Sequence, residues 1–249
     1  MAAPCKRLAA VLTIISFIVA PSLCALSQDS SPDYEGIFGS HYRDACEFIA
    51  QHGEMTAAMR AANVTPGFAW SIVFPELIRW SALADVIQTS NLQALYVQFG
   101  RKYSDFSVGR FQMKPSFAEI LEADYNRLFD AKEKEKLGFM PYNSADTPEN
   151  RRARVKRLTD FNGQVQYLII FLRVMEKLYP QQNDGPLEAK LAFYATAYNV
   201  GYKKGVAAIK KELKIRRFHT GLIAAGQTYN YADIALRYYR THEQYFSRS

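Results

Sequence analysis

The sequence predicts an all-α fold, and two observations lead to that prediction. Apolar residues recur three or four positions apart along most of the chain, which is the spacing of one face of a helix. The alternation of apolar and polar residues that marks a half-buried strand is rare, and the 249 residues contain no internal repeat. One exception is allowed around residues 98–113, where a small irregular or β element is expected.

Residues 1–27 are predicted to be a signal peptide. Lys6 and Arg7 precede the apolar run Leu8–Ala20, and small residues follow it, as in a secretory leader. The run is shorter than the roughly 20 apolar residues of a membrane span, so no integral membrane span is expected in the mature chain. We therefore predict export to the periplasm or cell envelope, with lipid attachment at Cys24 or an uncleaved anchor as alternatives.

The cysteine count and the net charge narrow the class of protein. Cys5 and Cys24 fall in the predicted leader, so Cys46 alone remains and no internal disulfide can form. We expect Cys46 to be a buried small hydrophobe rather than a nucleophile, since no nearby histidine supports the second role. The formal net charge of +7 suits an anionic polymer such as the carboxylate-bearing bacterial wall. It would also suit nucleic acid or phospholipid.

The mature chain is predicted to consist of a lead-in and helix over residues 28–64 and one larger domain over residues 65–249. Residues 28–40 are polar and contain Pro and Gly, which is typical of a mobile lead-in. Thr65-Pro66 supplies a cap and a first-turn proline for a helix with apolar residues at helical spacing. Pro75 lacks a backbone donor and is predicted to interrupt and kink this helix just before Glu76.

Further helices separated by polar loops are predicted along the rest of the chain. The most hydrophobic one, Gln164–Tyr179, is the expected centre of the core. The other expected elements are an amphipathic stretch at 116–137, a loop at 138–150, a helix Leu187–Tyr198 stopped by Asn199-Val200-Gly201, a solvated Lys-rich stretch at 203–214, and a final aromatic helix Tyr229–Phe246.

Several kinds of chemistry find no support in the sequence. It contains no H-E-x-x-H, no Cys/His cluster, no glycine-rich phosphate loop and no G-x-S-x-G, and its four histidines are scattered. We therefore predict neither a metal site nor a cofactor.

A single carboxylate, Glu76, is the leading candidate for acid–base chemistry. It lies among apolar residues, including Ile72 and Trp80 at helical spacing, and desolvation there would raise its pKa. A general acid that works at neutral pH needs such a raised pKa. The structural alternative is a carboxylate that merely pairs with Arg79.

Two later segments carry groups that could bind or orient a substrate. In Ser107–Pro115, Gly109 permits close backbone approach and Gln112 can both donate and accept hydrogen bonds. An ordinary turn is the alternative interpretation of this segment. In Ala195–Gly201, the Tyr198 phenol could reach a carboxylate or a substrate hydroxyl, although Tyr-Asn-x-Gly is often only a helix stop.

Together, these segments resemble the soluble lytic transglycosylase family, which has a goose-lysozyme-like helical fold. The resemblance consists of a Glu in an apolar helix, then Gly109-x-x-Gln112-x-x-Pro115, then Ala197-Tyr198-Asn199-Val200-Gly201, and covers roughly Phe68–Tyr245. Two features depart from the family pattern. Leu77 stands where the family has Ser, and the longer stretch between Glu76 and Gly109 predicts an insertion around Asp85–Arg101.

The resemblance implies a role for each matching residue in a catalytic domain over residues 65–249. Glu76 and Tyr198 are expected to be catalytic, with Tyr198 positioning Glu76 or the muramic sugar. The expected substrate-binding residues are Ser107, Gly109, Phe111, Gln112, Met113, Asn199 and Tyr231.

The implied activity is cleavage of peptidoglycan glycan strands between N-acetylmuramic acid and N-acetylglucosamine. In such an enzyme one Glu protonates the leaving oxygen and the muramic 6-hydroxyl attacks, which leaves a 1,6-anhydromuramic end. We expect glycan strands rather than nucleic acid as the partner, and recruitment by a larger envelope assembly remains open. A muramidase or chitinase-type hydrolase, which needs a second carboxylate, and an inactive wall-binding scaffold are the alternatives.

Overall fold

The computed structural model describes residues 32–83, 90–139, 141–143, 145–221 and 226–247, and these are mostly helical. The all-α prediction is therefore confirmed. The helices of this described part are α1 (Tyr34–Phe38), α2 (Ser40–Gln51), α3 (Gly53–Ala61), α4 (Pro66–Leu83), α5 (Ser90–Phe99), α6 (Pro115–Leu128), α7 (Ala131–Leu137), α8 (Pro148–Thr159), α9 (Phe161–Leu178), α10 (Leu187–Val200), α11 (Val206–Glu212) and α12 (Tyr231–Ser247). Two short strands, β1 (Arg216–Phe218) and β2 (Tyr229–Asn230), pair antiparallel.

The predicted leader at 1–27 lies outside the described residues, whereas the predicted lead-in at 28–40 is partly described and is helical there. Helix α1 begins after Asp33, whose carboxylate accepts a hydrogen bond from the Gly36 N–H at 3.1 Å. Tyr34 and Phe38 lie four positions apart on one face, and both rings pack edge-on against Tyr229. The lead-in prediction is wrong for this turn because its two aromatic residues are buried.

Helix α4 packs against α2, α10 and α12, and apolar residues on all its sides are buried. It begins at Pro66, as predicted, and runs through Pro75 without the predicted interruption. Pro75 removes one backbone donor, but the Tyr231 hydroxyl donates to the nearby Ile72 carbonyl oxygen at 2.9 Å. The donor lost at Pro75 would have served the Ser71 carbonyl rather than that of Ile72, so burial on every side, and not this hydrogen bond, holds the helix together across the proline.

Helix α9 lies in the core, as predicted. It begins one turn earlier than expected, because the Asp160 carboxylate accepts a hydrogen bond from the Gly163 N–H at 2.9 Å and so caps the first turn. The predicted apolar face is buried, including Val165, Leu168 and Met175. No helix in the described part of the chain combines the length and apolarity that a membrane crossing would require.

The segment around residues 98–113 contains the expected irregular and β structure. After α5 ends at Phe99, the chain is irregular until Val108 and Met113 form an isolated antiparallel bridge. Of the predicted insertion at Asp85–Arg101, residues 84–89 lie outside the described residues and 90–99 form α5. Helix α5 packs on α8, and the sequence predicted neither this helix nor this contact.

A buried ionic cluster joins α6, α8 and α9. Glu122 is fully buried, and its Oε2 accepts hydrogen bonds from Arg154 Nε at 2.9 Å and Nη2 at 2.6 Å. Its Oε1 accepts from Arg157 Nη2 at 2.7 Å and from the Tyr167 hydroxyl. Four donors therefore satisfy one carboxylate that has lost its water, which is the condition under which a buried ion pair is tolerated.

Glu122→Leu is expected to lower the free energy of unfolding by about 3–5 kcal/mol, because the buried Arg154 and the half-buried Arg157 would lose the carboxylate that they share. Urea denaturation measures the change. The matched control is Glu135→Gln, an exposed glutamate of α7, for which a change within about 0.5 kcal/mol is expected. Equal stabilities for the two variants would contradict a structural role for the cluster.

Candidate active site

A cavity of about 510 Å³ lies between α4, α6 and the end of α10. One wall carries Glu76 and Arg79 from α4, and another carries Phe117 and Ile120 from α6. The predicted site residues on its lining are Glu76, Ser107, Gln112, Met113, Tyr198 and Asn199. Three segments that are far apart in the sequence therefore meet around one cavity, which we call the cleft.

The Glu76 carboxyl group is almost removed from solvent at the wall of the cleft. Its side chain is 5% exposed, and Oε2 accepts a hydrogen bond from Arg79 Nη1 at 2.9 Å. Burial raises the pKa of Glu76 from 4.5 to about 7, against the opposing effects of the Arg79 charge and of hydrogen bonds from Tyr231 and Arg79. The group can thus give up or take a proton near neutral pH.

Arg79 is held at the cleft by three contacts. Besides the ion pair with Glu76, its Nε donates to the His219 carbonyl oxygen at 3.0 Å. Its guanidinium also lies 4.3 Å from the centre of the Phe218 ring in β1. The alternative predicted from the sequence, a pairing of Glu76 with Arg79, is therefore realised together with the raised pKa, because burial outweighs the charge of the partner.

Tyr198 and Tyr231 complete the surroundings of Glu76. Burial, and secondarily the charge of Glu76, holds the pKa of both phenols well above 10, so both stay protonated. The Tyr198 hydroxyl donates to the Phe111 carbonyl oxygen at 2.7 Å, so it does not hold Glu76 through this bond. The Tyr231 hydroxyl reaches both the Ile72 carbonyl and Glu76, and with one proton it donates to one of them at a time.

The segment 108–113, which we call the Gly109 loop, is a tight turn closed by reciprocal hydrogen bonds. Val108 N–H donates to Met113 O at 2.9 Å, and Met113 N–H donates to Val108 O at 3.1 Å. Gly109 and Gln112 both adopt positive φ, +70° and +49°. Positive φ is uncommon for a residue other than glycine, so the position of Gln112 is specified by the surrounding loop.

A buried amide on α9 anchors the Gly109 loop. Gln164 is 1% exposed, and its Oε1 accepts a hydrogen bond from the Phe111 N–H at 2.8 Å. A Cβ on Gly109 would lie 1.9 Å from Gln164 Nε2. The sequence predicted a close backbone approach at Gly109, but the structure places a side chain of the protein there rather than a ligand.

Three predicted substrate-binding residues do not line the cleft. Phe111 is fully buried and packs edge-on against Trp70 and Phe161, so its ring is core rather than a sugar platform. Tyr231 is buried beneath Glu76, and Gly109 lies against Gln164. All three support residues of the cleft instead of facing it.

The sequence did not identify the basic wall of the cleft. Lys114, Lys203 and Lys204 line it together with Phe117 and Ile120 of α6. Lys203 Nζ pairs with Asp124 Oδ2 at 2.9 Å, an anchor between α6 and the turn after α10. Residues 203–214 were predicted only as a solvated stretch, because nothing in their local pattern indicates that the turn after Gly201 returns to the cleft.

Asp105 is the second carboxylate on the described lining of the cleft. Its two oxygens accept hydrogen bonds from Ser116 N–H at 3.0 Å and Ser116 Oγ at 2.8 Å. The nearby Glu119 binds Tyr96 and Arg101 and does not line the cleft. Through these hydrogen bonds, Asp105 stabilises the first turn of α6.

Cys46 has a neighbour that the sequence did not predict. Its Sγ lies 3.7 Å from His242 Nε2. Burial raises the pKa of the thiol to about 12 and lowers that of the imidazole, so both groups are neutral near pH 7. A neutral thiol is a poor nucleophile, and Cys46 remains a packing residue.

No family model, curated protein or solved structure matches this chain.

Gly109→Ala is expected to lower the free energy of unfolding by about 2–4 kcal/mol, because the new methyl group meets Gln164 in addition to straining a positive φ. Gly138→Ala is the matched control: Gly138 has φ +69° and no atom within 4 Å of an added Cβ. Strain alone predicts a loss of about 1 kcal/mol there. Urea denaturation compares the two, and equal losses would refute the contact with Gln164.

Glu76→Gln is expected to stabilise the protein above pH 7 relative to the wild type. Because the pKa of Glu76 is about 7 in the folded state and 4.5 ordinarily, its contribution is fullest below pH 4.5 and is lost as the pH rises to 7. Glutamine does not titrate, so the stability difference should grow by about 2–3 kcal/mol across this window. Urea denaturation from pH 4.5 to 8 tests this, and a difference independent of pH would exclude the raised pKa.

Proposed function

We propose that this protein is a peptidoglycan lytic transglycosylase that uses Glu76 as its single general acid and base. The observation that carries the proposal is a buried carboxyl group at the wall of a cleft, with a pKa of about 7. The three segments that resemble the family also meet at this cleft. That arrangement supports a lysozyme-like organisation of the helices.

The proposed reaction needs one group that first gives and then takes a proton. Protonated Glu76 donates to the glycosidic oxygen as the bond to the anomeric carbon breaks. The muramic 6-hydroxyl then attacks that carbon and returns its proton to Glu76. The product carries a 1,6-anhydromuramic end, and the enzyme recovers its starting protonation state without consuming water.

The engagement of Asp105 favours this reaction over hydrolysis. A hydrolase would need a second carboxylate free to activate water, and both oxygens of Asp105 accept hydrogen bonds from Ser116. Lys114, Lys203 and Lys204 give the cleft a basic wall that suits the carboxylates of a wall polymer. Glycan strands, reached after export to the periplasm or cell envelope, are the proposed substrate.

Glu76→Gln is expected to slow release of soluble fragments from insoluble peptidoglycan by a factor of about 10² or more, because the amide cannot transfer the proton. Mass spectrometry of the wild-type products should show muropeptides lighter by one water than hydrolytic ones. Glu135→Gln, an exposed change outside the cleft, is the control and should digest at the wild-type rate.

Two other outcomes would overturn the proposal in different ways. Products with reducing muramic ends would identify a hydrolase, and Asp105→Asn would then be expected to abolish their formation. Equal, negligible release by the wild type and Glu76→Gln, together with wall binding by both, would identify a non-catalytic scaffold.

A further inference from the structure

A second concave pocket, of about 320 Å³, lies between α2, α4 and the Gly109 loop. Its lining includes Asp44, Phe48, Leu77, Trp80, Ser81 and Arg110. The pocket and the cleft share two elements of the protein. Glu76 and Arg79 of helix α4 line the cleft, whereas Leu77, Trp80 and Ser81 of the same helix line the pocket.

Arg110 is a fixed cation with free hydrogen-bond donors. Its guanidinium lies 4.7 Å from the centre of the Phe48 ring and 5.2 Å from that of Trp80. No ion pair or side-chain hydrogen bond connects it to any residue that the structure describes. Partial burial lowers the pKa of Arg110. Two aromatic rings therefore orient a guanidinium fork whose donors are available to a ligand.

Asp44 places the opposite charge on the same pocket. It is exposed, and its Oδ2 accepts a hydrogen bond from Ser81 Oγ at 2.6 Å. Within the described ranges no cation pairs with Asp44, and no ion pair joins it to Arg110, although both line the pocket. A fixed anion and a fixed cation that do not meet leave room for a ligand that carries both charges.

We propose that this pocket binds a zwitterionic amino-acid group. The Arg110 fork holds the carboxylate by two parallel hydrogen bonds, Asp44 accepts the ammonium, and Phe48, Leu77 and Trp80 contact the methylene groups. The source of the ligand rests on the proposed function: a wall peptide with a diamino acid carries an ammonium and a carboxylate on one carbon. Because α4 and the Gly109 loop border both sites, we assign the ligand to the peptide of a glycan strand bound in the cleft.

Binding is tested by NMR titration of the purified protein with meso-diaminopimelate, following the indole N–H of Trp80. The buried indole of Trp70, which donates to Thr56 Oγ1 at 3.1 Å, is an internal reference. Arg110→Gln and Asp44→Asn should each weaken binding about tenfold or more, the equivalent of one charge-assisted hydrogen bond. Lys132→Gln, an exposed change on α7, should leave binding unchanged, and thermal unfolding midpoints establish that each variant is folded.

Two analogues separate a zwitterion site from a site for one charge. Pimelate carries only the carboxylates and 1,5-diaminopentane only the ammonium groups, and each should bind about tenfold more weakly than meso-diaminopimelate. Equal binding of either analogue, binding unaffected by Asp44→Asn, or no shift of the Trp80 signal would overturn the proposal.

The source of the ligand is tested with soluble glycan oligomers that retain or lack their peptides. A wall peptide predicts that Arg110→Gln lowers kcat/KM about tenfold for the first and leaves the second unchanged. If Arg110→Gln changed kcat/KM by the same factor for both oligomers, or for neither, the wall-peptide source would be overturned while the amino-acid site stands. If the wild type cleaves neither oligomer, the proposed function fails. The NMR titration still tests whether the pocket binds a zwitterionic amino acid.

Discussion

The protonation of Glu76 depends on how completely its carboxyl group is removed from water. Taking a carboxylate out of water favours its protonated form, whereas a guanidinium at 2.9 Å and a phenol favour its charged form. Burial outweighs the two partners, and the pKa of Glu76 settles near neutrality. With less burial the ion pair with Arg79 would keep Glu76 charged, and without Arg79 the carboxyl group would be held more firmly in its neutral form.

The burial of Glu76 is a property of α4 and of the elements packed around it. This helix is covered by α2, α10 and α12, so the side chains from Pro66 to Ile78 are buried, and Glu76 lies at the wall of the cleft. The other walls are secured by polar groups in the interior. Gln164 holds the Gly109 loop, and the Glu122 cluster ties α6 to α8 and α9. Gln164 and Glu122 are each satisfied by partners on other elements, which sets the relative positions of those elements.

The two pockets along α4 differ in the charged groups that line them. The cleft holds a titratable acid beside a basic wall, whereas the neighbouring pocket holds a stacked guanidinium and a separate carboxylate. Arg110 and Gln112 belong to one short turn, yet they line different pockets. Helix α4 and the Gly109 loop contribute residues to both pockets.

The sequence by itself determined the helical class, the central position of α9 and the candidate acid, because apolar periodicity and a carboxylate in an apolar run are local patterns. It also identified six of the residues that line the cleft. Only the tertiary structure decided which residues line the cleft. Phe111 and Tyr231, which the sequence predicted to bind substrate, are buried, whereas Lys203 and Lys204, which it did not, line the cleft with Glu76. The same holds for the contact of Gln164 with Gly109 and for the cluster at Glu122. These pairings join residues tens of positions apart, and no periodicity within one segment specifies which distant side chain will satisfy a buried polar group.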